Sequence, residues 1–397
     1  MWRRNKIKTL QPQRLNGFSL NKTRKIFITY QYFLPGYKAG GPIQSIANLC
    51  RHMQGNYKFY IVCSDTDHTE NKPLQAIKSD VWNEFEGGKA MVYYVSKPMQ
   101  KAKTIARLLK EVSPDYVFIN GLYSPLFTIS PLFYAKCRTI ISVRGMLHPG
   151  ALSQKAAKKR IFIALLKLFQ VHKRVTFHAT DETEKAFILN TFGNKANVIV
   201  AQNFPNTNML SKNAEKIGGE LKLLSIALIS PMKNHALILE ALKYIKTNVC
   251  YDIYGPVKDD AYWDACKQLI KGLPSNIKVS YKGGVEPHKV AKLLSNYHCF
   301  ILPSKSENFG HAIYEALSAG LPVITSQYTP WNNLKTSMAG YNIDIADVNS
   351  LVAAIEHMAA LDNSSYRLWS QGARQCAVEN ISVEKIKVQY EALFASN

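Results

Sequence analysis

The stretch from Phe300 to Ser326, FILPSKSENFGHAIYEALSAGLPVITS, constrains the fold of this 397-residue chain more than any other segment. Phe300–Leu302 is a short apolar run that a proline ends, which predicts a buried strand. Apolar residues at helical spacing then predict a helix from Phe309 to Ala319, and a glycine follows its last residue. Leu321–Thr325 predicts the next strand. The order strand, loop, helix, strand is typical of a βαβ unit in a parallel sheet.

Two glutamates lie eight residues apart in this unit, Glu307 in the loop and Glu315 in the helix. Both are expected at the carboxyl edge of the strands, where open α/β sheets bind ligands. A helix start offers free amide donors to a phosphate, and a carboxylate accepts hydrogen bonds from a diol such as a ribose. Those donors are the amides of Asn308, Phe309, Gly310 and His311. The pattern predicts a phosphate-and-polyol site, although a solvated helix with two surface glutamates has the same spacing.

Strand-like runs alternate with helix-like stretches along most of the chain, which predicts parallel sheets with helices on both faces. A glycine pair, Gly40 and Gly41, follows the first strand and precedes a helix start at Pro42. Such a pair lets the backbone approach a phosphate or a sugar closely. The predicted strands before residue 202 are Lys25–Tyr30, Phe59–Cys63, Met91–Val95, Tyr116–Asn120, Thr139–Val143, Val175–Ala179 and Val198–Ala201.

The segment ENFGHAIYEALSAGLPVI resembles the E-x7-E signature of family 4 retaining glycosyltransferases, and the resemblance extends from about residue 25 to residue 395. It implies a GT-B fold, in which two Rossmann-like domains enclose a cleft. It also implies that Glu307 contacts the donor sugar and Glu315 the nucleotide ribose. By the same resemblance, Gly310 and the Gly40–Gly41 loop lie at the donor diphosphate, and the backbone of Val285 lies near the base.

Positive charge for the diphosphate is expected from Lys233, in the segment SPMKNHALILEAL. The family pattern places an arginine and a lysine here; Lys233 matches the lysine, but Leu228 occupies the arginine position. Arg144, in SVRGMLHPGAL, or Lys305 would then supply the missing charge, because cationic side chains bind phosphate oxygens. The segment resembles the RGML-x-P segment of a bacterial subset of the family. An ion pair of Arg144 with the Asp181–Glu182 segment is the alternative.

The resemblance implies that a sugar is transferred from a nucleotide-diphosphate sugar by the front-face pathway. It is also consistent with a division of the chain into four parts. No metal, covalent nucleophile or cofactor other than the donor is expected. Bacterial relatives imply a glycan acceptor, expected to be lipid-linked, in lipopolysaccharide, capsule or exopolysaccharide synthesis. The predicted parts are a basic disordered tail (1–24), an acceptor-side Rossmann-like domain (25–202), a donor-nucleotide Rossmann-like domain (203–380) and a helix that crosses back to the first domain (381–397).

The net charge of +22 is concentrated in the first half of the chain. Residues 1–200 hold 31 basic and 11 acidic residues, whereas residues 201–397 hold 19 and 17. The segment 155–174, KAAKKRIFIALLKLFQVHKR, combines this charge with an apolar stripe at helical spacing. It predicts docking on an anionic membrane from the cytoplasmic side, with the alternative that the stripe packs on the sheet. The stripe consists of Phe162, Leu165, Leu166 and Phe169.

Two other classes of protein fit parts of the pattern. An epimerase or a phosphorylase of the same fold would share the sheets, because a fold alone does not fix an activity. A nucleic-acid-binding protein would share the charge, but no recognised nucleic-acid module is present and no nucleic-acid partner is expected. The first 24 residues lack the apolar core of a secretory signal, and no apolar run approaches the 18 residues of a membrane span. Seven cysteines without a CxxC pair predict reduced thiols.

Overall fold

We describe the protein from a computed structural model, in which residues 23–153, 156–207 and 214–395 are described. The predicted tail, 1–24, lies almost entirely outside these residues. Two sheets organise the chain. The first contains β1 (Arg24–Thr29), β2 (Tyr57–Ser64), β3 (Trp82–Phe85), β4 (Ala90–Val95), β5 (Tyr116–Asn120), β6 (Arg138–Ser142), β7 (Thr176–Ala179) and β8 (Asn197–Val200). The second contains β9 (Glu220–Ile226), β10 (Asn248–Tyr254), β11 (Ile277–Gly283), β12 (Cys299–Leu302), β13 (Val323–Ser326) and β14 (Gly340–Ile343).

The strand order is β3-β4-β2-β1-β5-β6-β7-β8 in the first sheet and β11-β10-β9-β12-β13-β14 in the second. Every pairing is parallel except β3 with β4, which is antiparallel. The central strands are apolar because helices cover both faces of a parallel sheet. In β1, for example, Ile26, Phe27 and Ile28 are fully buried. The predicted parallel α/β architecture is therefore confirmed, with β3 as an unpredicted antiparallel edge.

Helices connect the strands and cover the two sheets. In the first half they are α1 (Gly41–Met53), α2 (Ala102–Val112), α3 (Ser130–Tyr134), α4 (Pro149–Ser153), α5 (Ala156–Leu168) and α6 (Glu182–Phe192). In the second half they are α7 (His235–Leu242), α8 (Asp260–Lys271), α9 (Pro287–Leu294), α10 (His311–Ala319), α11 (Val348–Ala360), α12 (Asn363–Asn380) and α13 (Val383–Ala395). Two 3-10 turns, Lys97–Met99 and Val171–Lys173, and one π turn, Pro125–Ile129, complete them. None of the helices in the described ranges is long and apolar enough to cross a bilayer.

The last helix packs on the first domain, although the second domain precedes it in the sequence. Four side chains of α13 are buried in the core that β1, β2 and α1 form in the first half of the chain. The amide of Gln202, at the end of the first half, donates to Oε1 of Gln389 on α13 over 2.9 Å. The chain thus crosses between the two sheets twice, near residue 202 and again before α13. The buried side chains are Ile386, Tyr390, Leu393 and Phe394.

Candidate active site

The start of α10 faces the cleft between the two sheets. Gly310 precedes the helix with a φ of 71°, a left-handed conformation that favours glycine, and no side chain caps the first turn. The predicted helix start at Phe309 is therefore two residues too early. Phe309 instead anchors the loop: its side chain is buried, and its carbonyl accepts a hydrogen bond from Nε1 of Trp331 over 2.7 Å. Because no side chain caps this first turn, its amides are free to bind a ligand.

The start of α1 meets the start of α10 across the cleft. Gly40 has a φ of 81°, and α1 begins at Gly41. A Cβ atom at Gly41 would lie 3.6 Å from the ring of His311, and Nε2 of His311 lies 2.9 Å from Oγ of Ser45. Burial, with a smaller effect of the Arg144 charge, lowers the pKa of His311 to about 3. The ring is neutral at pH 7, so it joins the two domains without adding charge.

Lys233 and Glu307 form an ion pair at the same place. Nζ of Lys233 lies 2.5 Å from Oε1 of Glu307, and the two side chains are 22% and 12% exposed. The same carboxylate oxygen accepts a hydrogen bond from Oγ of Ser304 over 2.7 Å. Lys233 precedes the first turn of α7, whose N-cap is Asn234. The predicted cation and the predicted sugar-contacting carboxylate are thus direct neighbours, and together they carry little net charge.

Arg144 reaches the cleft from the first sheet, and its partners differ from the predicted ones. The guanidinium donates to Oδ1 of Asn120 over 2.6 and 2.9 Å and to Oδ1 of Asn203 over 2.6 Å. The alternative of an ion pair with the 181–182 segment is wrong. Asp181 caps α6, and Glu182 pairs with Lys185 on the surface. These neutral amide groups orient Arg144, and they do not compensate its positive charge.

Glu184 is a site residue that no sequence motif predicts. Its carboxylate is buried and accepts hydrogen bonds from the amides of Gly145 and Thr180, over 2.5 and 2.7 Å, and from the hydroxyl of Thr180 over 2.9 Å. It also accepts a hydrogen bond from Nδ2 of Asn308, in the second domain, over 3.0 Å. Glu184 therefore fixes the turn that carries Arg144 and ties it to the loop before α10. The sequence shows only that the first turn of α6 contains two acidic residues, and it does not show that one of them is buried.

Glu315 lies in the second turn of α10 and is 9% exposed. Its Oε1 accepts a hydrogen bond over 3.3 Å from Nδ2 of Asn206, in the segment that joins the two halves of the chain. Burial raises the pKa of Glu315 to about 7, and the Asn206 hydrogen bond opposes this shift. A carboxylate with so few partners retains acceptor capacity for a diol.

Two adjoining cavities bring the predicted residues together. We call the first, of about 310 Å³, the central cavity and the second, of about 200 Å³, the inner cavity. Gly41, Lys233, Glu307, Gly310 and His311 line both. The central cavity also has Arg144, Asn308 and Phe309 in its lining. The inner cavity also has Gly40, Val285 and Glu315.

The remaining candidates separate into those that face these cavities and those that do not. Leu228 lines both cavities, so the position that resembles a family arginine is at the site but is uncharged. Lys305 lines a neighbouring cavity with Asp181 and Tyr328 instead, which leaves Arg144 as the candidate second cation. Tyr37, which no sequence motif points to, lines the inner cavity, and a Cβ atom at Gly284 would lie 3.0 Å from its hydroxyl. Within the described parts of the chain, no group of three or more metal-ligating side chains is assembled.

Comparison with known families identifies the second half of the chain. Residues 207–375 match the model of the family "Glycosyl transferases group 1", so this part is a group 1 glycosyltransferase domain. The chain is 29% identical over 174 residues to O-antigen chain mannosyltransferase B of Escherichia coli. That match covers 41% of this chain and 44% of the relative, and the chain spans less than half the length of the curated relatives it matches.

Solved structures share the complete two-domain architecture. Sucrose-phosphate synthase from Thermosynechococcus elongatus aligns with a TM-score of 0.74 and 16% identity, over 94% of this chain and 100% of that one. Anabaena HepE in complex with UDP-glucose aligns with a TM-score of 0.70 and 15% identity, over the same shares. At this level of identity the likeness concerns the fold alone. The predicted GT-B fold, with two Rossmann-like domains and parallel sheets, is confirmed.

Proposed function

We propose that the protein is a family 4 retaining glycosyltransferase that moves a sugar from a nucleotide-diphosphate sugar to a glycan acceptor. The observation that carries this proposal is the meeting of Lys233, Arg144 and the starts of α1 and α10 around one cavity. These groups are the kinds that bind a diphosphate, namely cationic side chains and free amides at helix starts. The group 1 glycosyltransferase match of residues 207–375 supports the same activity.

The order of groups along the two cavities supports one arrangement of the donor, which we propose here. The diphosphate lies between Lys233 and the start of α10, and the sugar extends into the central cavity beside Glu307. The nucleoside occupies the inner cavity, with its ribose hydroxyls on Glu315 and its base near Val285. For the ribose to be held in this way, Glu315 must be ionised, because a charged carboxylate accepts the stronger hydrogen bonds.

The chemical step follows from where charge develops. The bond between the anomeric carbon and the β-phosphate oxygen breaks, and the diphosphate leaves with the electron pair. The acceptor hydroxyl forms the new bond on the face that the diphosphate leaves, and its proton passes to the leaving oxygen. Lys233, Arg144 and the amides of α10 stabilise the negative charge on that oxygen, which is electrostatic catalysis. Because these groups belong to the chain, we propose that the reaction needs neither a metal ion nor a cofactor.

The acceptor is proposed to bind on the first domain, as a lipid-linked glycan in bacterial surface polysaccharide synthesis. The name of the Escherichia coli relative, an O-antigen chain mannosyltransferase, supports a lipopolysaccharide or capsule pathway.

We also propose that the protein is cytoplasmic and associates with the membrane, and the surface of α5 supports this association. Leu166 is buried and Phe162 half-buried, as the packing alternative requires, but Leu165 and Phe169 are exposed. The packing prediction for those two residues is wrong.

The exposed side of α5 has the composition of a membrane-docking face. Ile161, Leu165 and Leu168 recur at helical spacing and are 62%, 46% and 73% exposed. Lys158, Arg160 and Lys167 are exposed beside them, and Lys155 lies outside the described residues. We propose that this face binds anionic lipid headgroups. The test is co-sedimentation with anionic and neutral vesicles. The proposal predicts salt-sensitive binding to anionic vesicles that an alanine triple variant of the three basic residues loses, and equal binding of variant and wild type contradicts it.

The transferase proposal is tested by a thermal-shift panel of nucleotide sugars, followed by mass spectrometry of products on lipid-linked acceptors. One or more nucleotide sugars should raise the melting temperature, and the product should gain one sugar mass. An epimerase would change the donor without an acceptor, and a phosphorylase would release sugar phosphate from a glycan in phosphate buffer. A nucleic-acid-binding protein would be stabilised by RNA or DNA at moderate salt and not by nucleotide sugars. None of these rivals is favoured by the match of residues 207–375.

A further inference from the structure

The two carboxylate oxygens of Glu184 have different kinds of partner. Asp181 is the N-cap of α6, so Glu184 is the third residue of the helix, where an acid ordinarily bonds back to the amide of the N-cap residue. Here Oε2 reaches one residue further, to the amide and the hydroxyl of Thr180, over 2.7 and 2.9 Å. These two hydrogen bonds are local to the helix start. Oε1 instead accepts from two groups that are distant in the sequence, the amide of Gly145 and Nδ2 of Asn308.

The hydrogen bond from Gly145 holds the turn that carries Arg144. Arg144 and Gly145 both have left-handed backbone conformations, with φ angles of 52° and 71°. Such a conformation is unfavourable for arginine and persists only where the surrounding contacts enforce it. A backbone hydrogen bond from the amide of Met146 to the carbonyl of Val143, over 3.0 Å, closes the turn. The Glu184 carboxylate is a second restraint, and it helps to set the direction in which the arginine side chain leaves the backbone.

The hydrogen bond from Asn308 crosses the cleft. Asn308 belongs to the loop before α10, and its amide group packs directly on Gly145, because a Cβ atom at that glycine would lie 3.0 Å from Oδ1 of Asn308. Its Nδ2 lies 3.0 Å from Oε1 of Glu184 and 3.5 Å from Oγ1 of Thr180. Asn308 is thus held against the first domain by hydrogen bonding and by packing. A larger residue at position 145 would push the loop away from the first domain.

The residues on either side of Asn308 are those assigned to the donor. Glu307 precedes it, and Gly310, two residues later, precedes the first turn of α10. Arg144 and Asn308 line the central cavity, whereas Glu184 lines the neighbouring cavity. Glu184 therefore lies outside the proposed position of the donor. Any effect of Glu184 on the reaction is exerted through the groups that it holds.

We propose that Glu184 is a positioning residue that couples the two sides of the donor site. Its carboxylate holds the Arg144 turn, and its hydrogen bond with Asn308 makes the position of that turn depend on the loop of the second domain. Arg144 is then correctly placed for the diphosphate when the loop that carries Glu307 contacts the first domain. A donor that seats this loop against the first domain thereby also seats the arginine. This inference rests on the proposed function and adds to it a residue that the proposed function does not use.

Hydrogen exchange of the Gly145 amide, measured by mass spectrometry without any donor, tests whether Glu184 holds the turn. Glu184→Gln leaves one oxygen for donors that now use two, so the exchange rate should rise about tenfold. Asn308→Ala removes one partner of the carboxylate and should raise the rate about threefold. The matched control is Glu182→Gln, in the same turn of α6, because Glu182 is 75% exposed and pairs with Lys185.

Circular dichroism establishes which variants are folded. A wild-type exchange rate in folded Glu184→Gln overturns the proposal. If Glu184→Gln does not fold, a wild-type exchange rate in Asn308→Ala overturns it instead.

A double-mutant cycle tests whether Asn308 acts through Arg144. By itself, Asn308→Ala should lower kcat/KM about tenfold, because a small displacement of a cation weakens its contact with the transition state. In an Arg144→Gln background the same substitution should lower kcat/KM less than about twofold, since no cation remains to be misplaced. A smaller folded fraction, or a separate contact between Asn308 and the donor, would give equal losses in the two backgrounds. Equal losses therefore overturn the coupling.

The two measurements separate this proposal from the one on which it rests. If the wild type neither binds nor turns over a nucleotide sugar, the transferase proposal fails and the coupling to the donor fails with it. The exchange rate of the Gly145 amide then still decides whether Glu184 holds the turn. If the wild type is an active transferase but its variants exchange and react as an independent residue would, the assignment of Glu184 alone is overturned.

Discussion

The two sides of the cleft present positive charge in different ways. On the second domain, Lys233 is paired with Glu307, so the approaching anion meets a pair with little net charge. On the first domain, Arg144 is held by the neutral amides of Asn120 and Asn203. The difference indicates a division of labour. In the proposed function, Arg144 attracts the donor diphosphate with its full charge, whereas Lys233 must exchange a carboxylate for a phosphate when the donor binds.

Loss of Lys233 should have the largest effect, because it removes a cation and leaves the Glu307 carboxylate facing the phosphate. Lys233→Met is expected to lower kcat/KM by about 10²- to 10³-fold, with little change in the affinity for the nucleoside. Steady-state rates and nucleoside titrations measure the two effects. Lys243→Met is the matched control, since Lys243 pairs with Glu240 on the surface.

The exchange of partners is tested by a second substitution. Adding Glu307→Gln to Lys233→Met removes the uncompensated carboxylate and should restore part of the donor affinity, although not the turnover. If the double variant binds the donor no better than Lys233→Met, the carboxylate does not oppose the phosphate. The comparison between the two sides of the cleft would then be wrong.

Loss of the Arg144 charge should have the next largest effect on kcat/KM. Arg144→Gln keeps a hydrogen-bonding side chain but removes the charge, and kcat/KM should fall about ten- to hundredfold. The control is Arg174→Gln, because Arg174 is exposed near the end of α5. Adding Leu228→Arg should recover part of the loss by placing a cation on the opposite wall. A loss in Arg174→Gln equal to that in Arg144→Gln would contradict a local role for Arg144.

Glu315 should produce a smaller effect that depends on pH. Burial raises its pKa to about 7, so in the free protein the carboxyl is mostly protonated at pH 6 and mostly ionised at pH 8. If only the ionised form holds the ribose, donor affinity should rise about tenfold between these pH values. Glu315→Gln should weaken donor binding and flatten this pH dependence. A wild-type affinity that is constant with pH, or that falls as pH rises, contradicts the assignment.

The smallest expected effect is that of a chelator. The proposed function assigns the positive charge at the diphosphate to Lys233, Arg144 and the helix starts, so EDTA should leave the initial rate of the purified protein unchanged. The rate with added Mg²⁺ or Mn²⁺ should be the same within error. A rate that EDTA abolishes and a divalent cation restores would show that the chain does not supply enough charge by itself.

The same comparison explains what the sequence could predict. Two residues of the proposed donor site, Glu307 and Glu315, lie in one loop and one helix within residues 300–326, so their spacing is visible along the chain. The first-domain side is assembled from separate strand ends and the connecting segment, and only the fold brings its members together. Asn120, Arg144, Glu184 and Asn203 are those members.

The local errors have physical causes of the same kind. The apolar spacing predicts a helix start at Phe309, but Gly310 takes a left-handed conformation and the helix begins at His311. Strand β3 is short and lies at an edge with partly exposed residues, so its periodicity is weak. On α5, apolar residues occupy more than one face, and the sequence does not specify which face meets the sheet. Leu166 is buried there while Leu165 is exposed.

The central claim is that the cleft recognises a nucleotide through its diphosphate-sugar portion. Calorimetric titration of the wild type and Lys233→Met with UDP-glucose, GDP-mannose, uridine and guanosine tests it most directly. The wild type should bind one nucleotide sugar at least about 10²-fold more tightly than the matching nucleoside, and this gap should collapse in Lys233→Met. Equal affinity of the wild type for nucleotide sugar and nucleoside, or a gap that Lys233→Met leaves unchanged, would contradict the account.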